Sequence, residues 1–471
     1  MVFNTLTFAA FFAAVLLLHS LPLGWKVRKV NLLLASYVFY AAWNPPFILL
    51  LWISTVVDWY AAQGLVRAQG PTARRAWMLL SVIANLGMLL YFKYGTFLLH
   101  NFTAILAACG VHYQPPQFDI VLPVGISFYT FATMSYTLDV YLRRALPARN
   151  FLDYALFVTF FPHLVAGPIM RPTELVPQFE SPRRASLRQL CFGLGLMTLG
   201  LFNKVVLADT FLSGAAERVF DRGKVPGFVD GWVGTLAFSG QIFCDFAGYS
   251  TTAIGAALCL GFCMPDNFRF PYAAVGFSDF WRRWHITLSS WLRDYLYIPL
   301  GGNRHGPVRM NAALLTTMLL GGLWHGANWT FVAWGGLHGL YLVGERQLRA
   351  RFAGYRPGPL ALFGLGLLTY MLINLTWVFF RARDFATAWQ VLSGMLGFNA
   401  TAKPILPTVF IASVATVVPL LVAAHCYMRN RTLESVVARV PPALLAVLWG
   451  VMVFLIVISQ GAGNAFIYFQ F

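Results

Sequence analysis

The chain of 471 residues is 58% hydrophobic and only 11% charged, with a mean hydropathy of +0.65, far from the roughly 25% charge of a soluble domain. That composition excludes a soluble enzyme. Thirty-four Lys and Arg against seventeen Asp and Glu leave a net charge of +17, but the basic residues lie mostly between apolar runs, as the positive-inside rule requires of cytoplasmic loops, and no solvated basic domain exists to hold a nucleic acid.

Apolar runs suited to the roughly 20 residues of a spanning helix recur near 6–23, 30–43, 46–62, 77–99, 120–141, 151–169, 187–208, 230–262, 309–324, 329–345, 360–381, 407–427 and 442–459. They predict an all-α, polytopic membrane protein with a single membrane domain over 1–471, in which the shorter or more polar runs are re-entrant. The first run has no positive residues before it and is followed by Lys26, Arg28 and Lys29, so it reads as an uncleaved helix with its N-terminus outside. Cys109, Cys191, Cys244, Cys259, Cys263 and Cys426 lie in or beside apolar segments, and no Cys/His cluster has zinc spacing. They are expected to pack rather than bind metal.

Between about 265 and 305 the pattern changes to a stretch too polar to span and too aromatic for a solvated loop. Trp281, Trp284, Leu288, Trp291 and Tyr295 recur at three- and four-residue intervals and predict one amphipathic helix. Arg282 and Arg293, eleven residues apart, lie roughly 20° apart around it. Such a helix either lies in the interface plane or re-enters to line a cavity. His285 falls on neither stripe; taken alone it reads as a packing residue. In "GGLWHGANW" (321–329) His325 is flanked by Gly321, Gly322 and Gly326 and followed at i+3 by Asn328, which could fix its tautomer. An ionisable residue at membrane depth marks function. His338, about 220° further around an ideal helix, is read as structural.

"FWRRWHITLSSWLRDYLYIPLGGNR" (280–304) followed by "LLGGLWHGANW" (319–329) resembles the signature of the membrane-bound O-acyltransferase superfamily, in its bacterial alginate O-acetylation and teichoic acid D-alanylation branch. "LPVGISFYTF" (122–131), "FFPHLVAGPIMR" (160–171), "FCDFAGYS" (243–250) and "NFRFPY" (267–272) extend the likeness over nearly the whole chain, with the core motifs in 265–345. The resemblance implies a ring of about a dozen helices around a thin centre, with funnels from both faces meeting near the family histidine, in a bacterial inner membrane. It makes His325 the catalytic histidine and His285 the second one, overturning the packing reading of His285, and has Arg282, Arg283, Trp284, Ser289, Arg293, Asp294, Asn303 and Asn328 line or brace the funnel. It implies cytoplasmic acetyl-coenzyme A as donor, with no metal, and periplasmic partners of the SGNH-like or alginate-acetylation type. These would pass the acetyl group to an exported polysaccharide such as alginate or cellulose.

A thioester acyl transfer needs a base for the acceptor hydroxyl and donors for the developing oxyanion. His325 suits the first role, and the glycine amides of 321–326, Asn328 or His285 the second. From charge placement, Arg282, Arg283, Arg293, Arg304 and Arg309 are expected to face the cytoplasmic funnel and hold the donor's phosphates. Rival readings are the same fold with a D-alanyl carrier protein as donor, and a multi-pass transporter with no dependence on His325. The final "NAFIYFQF", within the tail 460–471, follows the run 442–459, which Arg429, Arg431 and Arg439 precede. Positive-inside therefore puts the tail outside. From Gln460 an extended chain reaches some 25 Å to Tyr468, enough to re-enter half the bilayer. The ending resembles the C-terminal tyrosine motif of these acylation systems, which implies Tyr468 as an acyl carrier beside the plainer reading of an aromatic anchor.

Overall fold

The computed structural model describes residues 1–115, 120–460 and Phe466, and among them every regular element is helical. Six helices are long and apolar enough to cross a membrane: Pro45–Arg67, Pro71–Ala108, Leu187–Phe220, Phe228–Cys259, Pro359–Arg381 and Thr408–Met428. Leu6–Ser20 and Pro442–Ile458 are shorter apolar helices. The chain is an all-α, polytopic membrane protein. It divides into two compact units, Met1–Met197 with Thr252–Pro265, and Thr198–Thr251 with Asp266–Phe471.

The first unit holds α1 (Leu6–Ser20), α2 (Trp25–Ala41), α3 (Ile48–Arg67), α4 (Pro71–Leu89), α5 (Gly95–Ala108), α6 (Ile126–Tyr141), α7 (Phe151–Thr159), α8 (Phe161–Leu164), α9 (Pro172–Glu180) and most of α10 (Leu187–Leu201). Local chemistry sets their starts: Thr5 accepts a hydrogen bond from the Phe8 amide (3.1 Å), Asn150 from that of Asp153 (2.9 Å), and Pro71 and Pro172 occupy first turns. Helix α6, the "GISFYTF" run, is buried along nearly its whole length. One of its hydroxyls serves a carboxylate: fully buried Asp58 of α3 accepts hydrogen bonds from Thr137 Oγ1 of α6 (2.5 Å) and, on α4, from Ser81 and from Asn85 Nδ2 (2.5 Å). Three donors replace the water that the apolar core denies it. A second buried charge is matched by an ion pair, Lys29 with Asp153.

The second unit contains α11 (Ser213–Phe220), most of α12 (Phe228–Cys259), α13 (Phe277–Trp281), α14 (Ile286–Leu292), α15 (Gly306–His325), α16 (Trp329–Arg351), α17 (Pro359–Arg381), α18 (Phe385–Met395), α19 (Thr408–Met428), α20 (Leu433–Val437) and α21 (Pro442–Ile458). Its core is aromatic, built on Phe238, Phe280, Trp284, Trp334, Trp377 and Phe380. Helices α15 and α16 form a hairpin that closes where side chains vanish. A Cβ on Gly322 would lie 2.3 Å from the Phe331 carbonyl oxygen, and one on Gly335 would lie 2.2 Å from that of Met318. Glycine at both positions lets the backbones touch.

The single helix expected over 281–295 is two. Helix α13 ends at Trp281, His285 adopts a left-handed conformation (φ 43°, ψ 55°), and α14 begins at Ile286 before passing into a π-helical turn at Arg293–Tyr297. The aromatic stripe also faces inward: Trp284 is fully buried and stacks on Phe280 at 5.6 Å. Headgroup exposure is thereby excluded for Trp284, and the stretch is a pair of short buried helices joined by a strained corner.

Candidate active site

A non-glycine residue at positive φ costs about 1–3 kcal/mol and persists only where its surroundings enforce it. At His285 the enforcing residue is Asn267. Its backbone carbonyl accepts from the Ile286 amide (2.9 Å), and its side-chain oxygen accepts from the Thr287 amide (3.3 Å), from Thr287 Oγ1 (2.9 Å) and from His285 Nδ1 (3.1 Å). Its Nδ2 donates to Ser250 Oγ at 3.0 Å. Because the Thr287 amide can only donate, the amide orientation of Asn267 is determined, and His285 must carry its hydrogen on Nδ1. The lone pair then sits on Nε2. Burial, with His285 0% exposed, pushes its pKa down to about 3, so it is neutral at every physiological pH. A neutral ring in this tautomer accepts through Nε2, so the oxyanion-donor role expected of His285 does not suit it.

His325 is the last residue of α15 and is 3% exposed. Its ring lies 6.4 Å from that of His285, edge to face, between Trp324 at 5.0 Å, Trp334 at 5.1 Å and Phe380 at 5.3 Å. The negative end of the α15 dipole lies at this residue. Gly326 leaves the helix in an extended conformation, and a Cβ on it would strike the Phe331 ring at 2.1 Å. Asn328 does not fix the tautomer of His325: its side chain caps α16 by accepting from the Thr330 amide (3.1 Å) and donates to the Arg383 carbonyl (2.7 Å).

The remaining expected residues separate into two groups. Arg283 is internal structure, donating to Asp279 (2.9 Å) and to the carbonyls of Arg269 (3.3 Å) and Arg429 (3.0 Å); Trp284 belongs to the aromatic core, and Ser289 returns a hydrogen bond to the Trp284 carbonyl (3.2 Å). Arg282 and Arg304 are exposed, as are Arg293, paired with Asp294 at 2.7 Å, and Asn303, which accepts from the Tyr297 hydroxyl at 2.6 Å. His338 is buried and donates through Nε2 to Thr376 Oγ1 (3.0 Å), whose own hydrogen goes to the Ile373 carbonyl (2.7 Å). Among the described residues no group of three His, Cys, Asp or Glu side chains could hold a metal.

Two residues were not anticipated. Asn267 lies inside "NFRFPY", but nothing in sequence spacing joins it to a histidine eighteen positions on. Trp334 is 1% exposed, and its indole N–H finds no acceptor among the described residues although its ring adjoins His325. Tyr468 lies outside the described residues. Phe466, two positions before it, is 1% exposed and packs on Tyr249 (4.7 Å) and Phe246 (5.9 Å), and Phe246 in turn meets the His285 ring edge-on at 4.7 Å.

The sequence profile of "MBOAT, membrane-bound O-acyltransferase family" matches residues 142–359, a span that includes both histidines. A Pseudomonas aeruginosa protein named "Probable alginate O-acetylase AlgI" is 42% identical over 403 residues, covering 85% of this chain and 75% of that one. The chain belongs to the membrane-bound O-acyltransferase family. This acyltransferase is also 39% identical over 403 residues to a Helicobacter pylori protein named "Peptidoglycan O-acetyltransferase", covering 79% of this chain and 75% of that one. A "Teichoic acid D-alanyltransferase" of Streptococcus thermophilus is 29% identical over 266 residues, 52% of this chain and 63% of that one. Family membership makes it an O-acyltransferase and replaces the transporter reading.

Proposed function

We propose that this acyltransferase takes acetyl from cytoplasmic acetyl-coenzyme A and delivers it, through Tyr468 and a periplasmic partner, to the hydroxyls of an exported polysaccharide. The observation that carries the reading is the pair of buried histidine rings 6.4 Å apart, one with its tautomer held by Asn267. His325 takes the proton of the attacking hydroxyl, and His285, accepting through Nε2, orients that hydroxyl or the thiol that leaves. The bond between the acyl carbon and oxygen forms as the carbon–sulfur bond breaks, and the proton held on His325 passes to the departing thiolate. Trp334, a donor with no acceptor among the described residues, supplies a hydrogen bond to the tetrahedral oxyanion. Relatives named for alginate and for peptidoglycan O-acetylation support acetyl as the group and a polysaccharide as the final acceptor. The positive-inside rule supports N- and C-termini on the periplasmic side.

Trp334→Phe keeps the ring and removes the N–H. It should lower kcat by about 10²-fold with KM for the donor little changed, since an oxyanion donor acts only in the transition state. A steady-state assay on purified, reconstituted protein reads the split.

The donor assignment has its own test. The Arg282→Glu/Arg304→Glu double variant replaces two exposed guanidiniums, and it should raise KM for acetyl-coenzyme A several-fold at unchanged kcat, through repulsion of the donor's phosphates. Unchanged KM would remove coenzyme A phosphates from this face and favour a carrier-protein donor.

A further inference from the structure

Arginine is rarely buried without a carboxylate or phosphate to meet it. In the first unit, Arg28 is 3% exposed and lies in the opening turn of α2, which has no acidic residue. Its Nη2 donates to the Arg183 carbonyl (2.7 Å), and its Nε has no acceptor among the described residues. Arg183 itself has a buried Nε that is likewise unmatched, and Arg184 reaches back to the Leu21 carbonyl (3.2 Å). Arg184 is close enough for its charge to oppose that of Arg28. None of the three forms an ion pair among the described residues, whereas neighbouring Lys29 has Asp153. Arg28 and Arg184 therefore approach each other at the positive end of α2, with the Arg183 carbonyl against Arg28 and no carboxylate paired to any of the three among the described residues.

The backbone holds this arrangement rather than leaving it to mobile side chains. Gly261, at φ +88°, lets residues 184–185 lie against it, since a Cβ there would be 2.8 Å from the Arg184 carbonyl carbon. Trp25 donates its indole hydrogen to the Phe179 carbonyl (2.7 Å), and the Arg28 guanidinium sits 5.3 Å from the Trp25 ring centroid. Around the cluster, Leu17, Leu18, Leu23 and Val27 are exposed apolar side chains. A basic cluster beside a tryptophan, with exposed apolar side chains on α1, α2 and the link between them, has the layout of a site that takes a headgroup and leaves acyl chains on the hydrocarbon side.

We infer that Arg28, Arg183 and Arg184 form a phosphate-binding site whose ligand is the headgroup of an anionic phospholipid. Arginine gives forked, charge-assisted hydrogen bonds to phosphate oxygens, and exposed Arg184 with half-buried Arg183 are the guanidiniums open to a headgroup, buried Arg28 adding its charge. The exposed leucines decide between a lipid phosphate and a soluble one, because a soluble anion would draw nothing from them.

The test follows thermal unfolding of the purified full chain in detergent micelles doped with phosphatidylglycerol, with phosphatidylcholine, or with inorganic phosphate added instead. Phosphatidylglycerol should raise the melting temperature by several degrees over phosphatidylcholine, and inorganic phosphate should not. The Arg183→Gln/Arg184→Gln variant, which leaves the more buried Arg28 in place, should bind phosphatidylglycerol at least about tenfold more weakly, roughly 1.4 kcal/mol, while melting as wild type does in phosphatidylcholine. Equal melting in the two lipids, or an undiminished phosphatidylglycerol effect in the variant, would overturn the site. Protection by inorganic phosphate alone would overturn the lipid as its source.

Discussion

Alanine at His325 should lower polymer O-acetylation by about 10²–10⁴-fold, the range that follows loss of a base acting in the transition state, while the protein accumulates in the membrane at the normal level. The expected retention of fold rests on where the residue sits. His325 is the last residue of α15, after the Gly322–Gly335 crossing that locks the α15–α16 hairpin, so its removal leaves that contact intact. His285→Ala should be impaired comparably in rate but for a compound reason, since it removes an acceptor and also the side chain that Asn267 grips to hold the left-handed corner. Acetyl content of the exported polymer, normalised to membrane protein level, reads both; wild-type acetylation in a normally inserted His325→Ala strain would end the enzymatic account.

The second large effect is expected at Tyr468. Phenylalanine there keeps an aromatic anchor and removes only the hydroxyl, so an anchoring role predicts no change and a carrier role predicts loss of polymer acetylation. A phenol, with a pKa near 10, is acidic enough to be activated by a neutral histidine, and its ester retains much of the thioester's transfer potential. Phe466, two positions before Tyr468, is buried against Tyr249 and Phe246, one ring from His285. Removal of residues 466–471 should reproduce the Tyr468→Phe defect, and normal acetylation by the phenylalanine variant would send the acetyl group directly to a partner's hydroxyl at His325.

The features legible in the sequence are those whose constraints are local. Spanning helices announce themselves because a bilayer imposes length and apolarity on consecutive residues, and the predicted runs at 46–62, 230–262, 360–381 and 407–427 fall on observed helices. The helix break in "WHGANW" is set by equally local residues, Gly326 and the Asn328 cap, although spacing alone assigns Asn328 to the His325 tautomer instead. The corner at His285 is not local. "FWRRWHITLSSW" keeps a helical period with no glycine or proline to interrupt it, and the break is imposed by Asn267, which meets His285 only in the folded chain. Likewise, charge placement grouped Arg283 with Arg282, yet only the structure distinguishes an arginine spent on Asp279 and two carbonyls from one left exposed.

The most direct test of acetyl transfer at the two histidines is incubation of the purified protein with acetyl-coenzyme A labelled in the acetyl group, followed by mapping of covalent label on the chain. Wild type should release coenzyme A and carry label on Tyr468, whereas Tyr468→Phe, which lacks the acceptor hydroxyl, and His325→Ala, which lacks the base, should do neither. Label on His325→Ala equal to that of wild type, or no transfer from acetyl-coenzyme A by a preparation that acetylates polymer in cells, would contradict it.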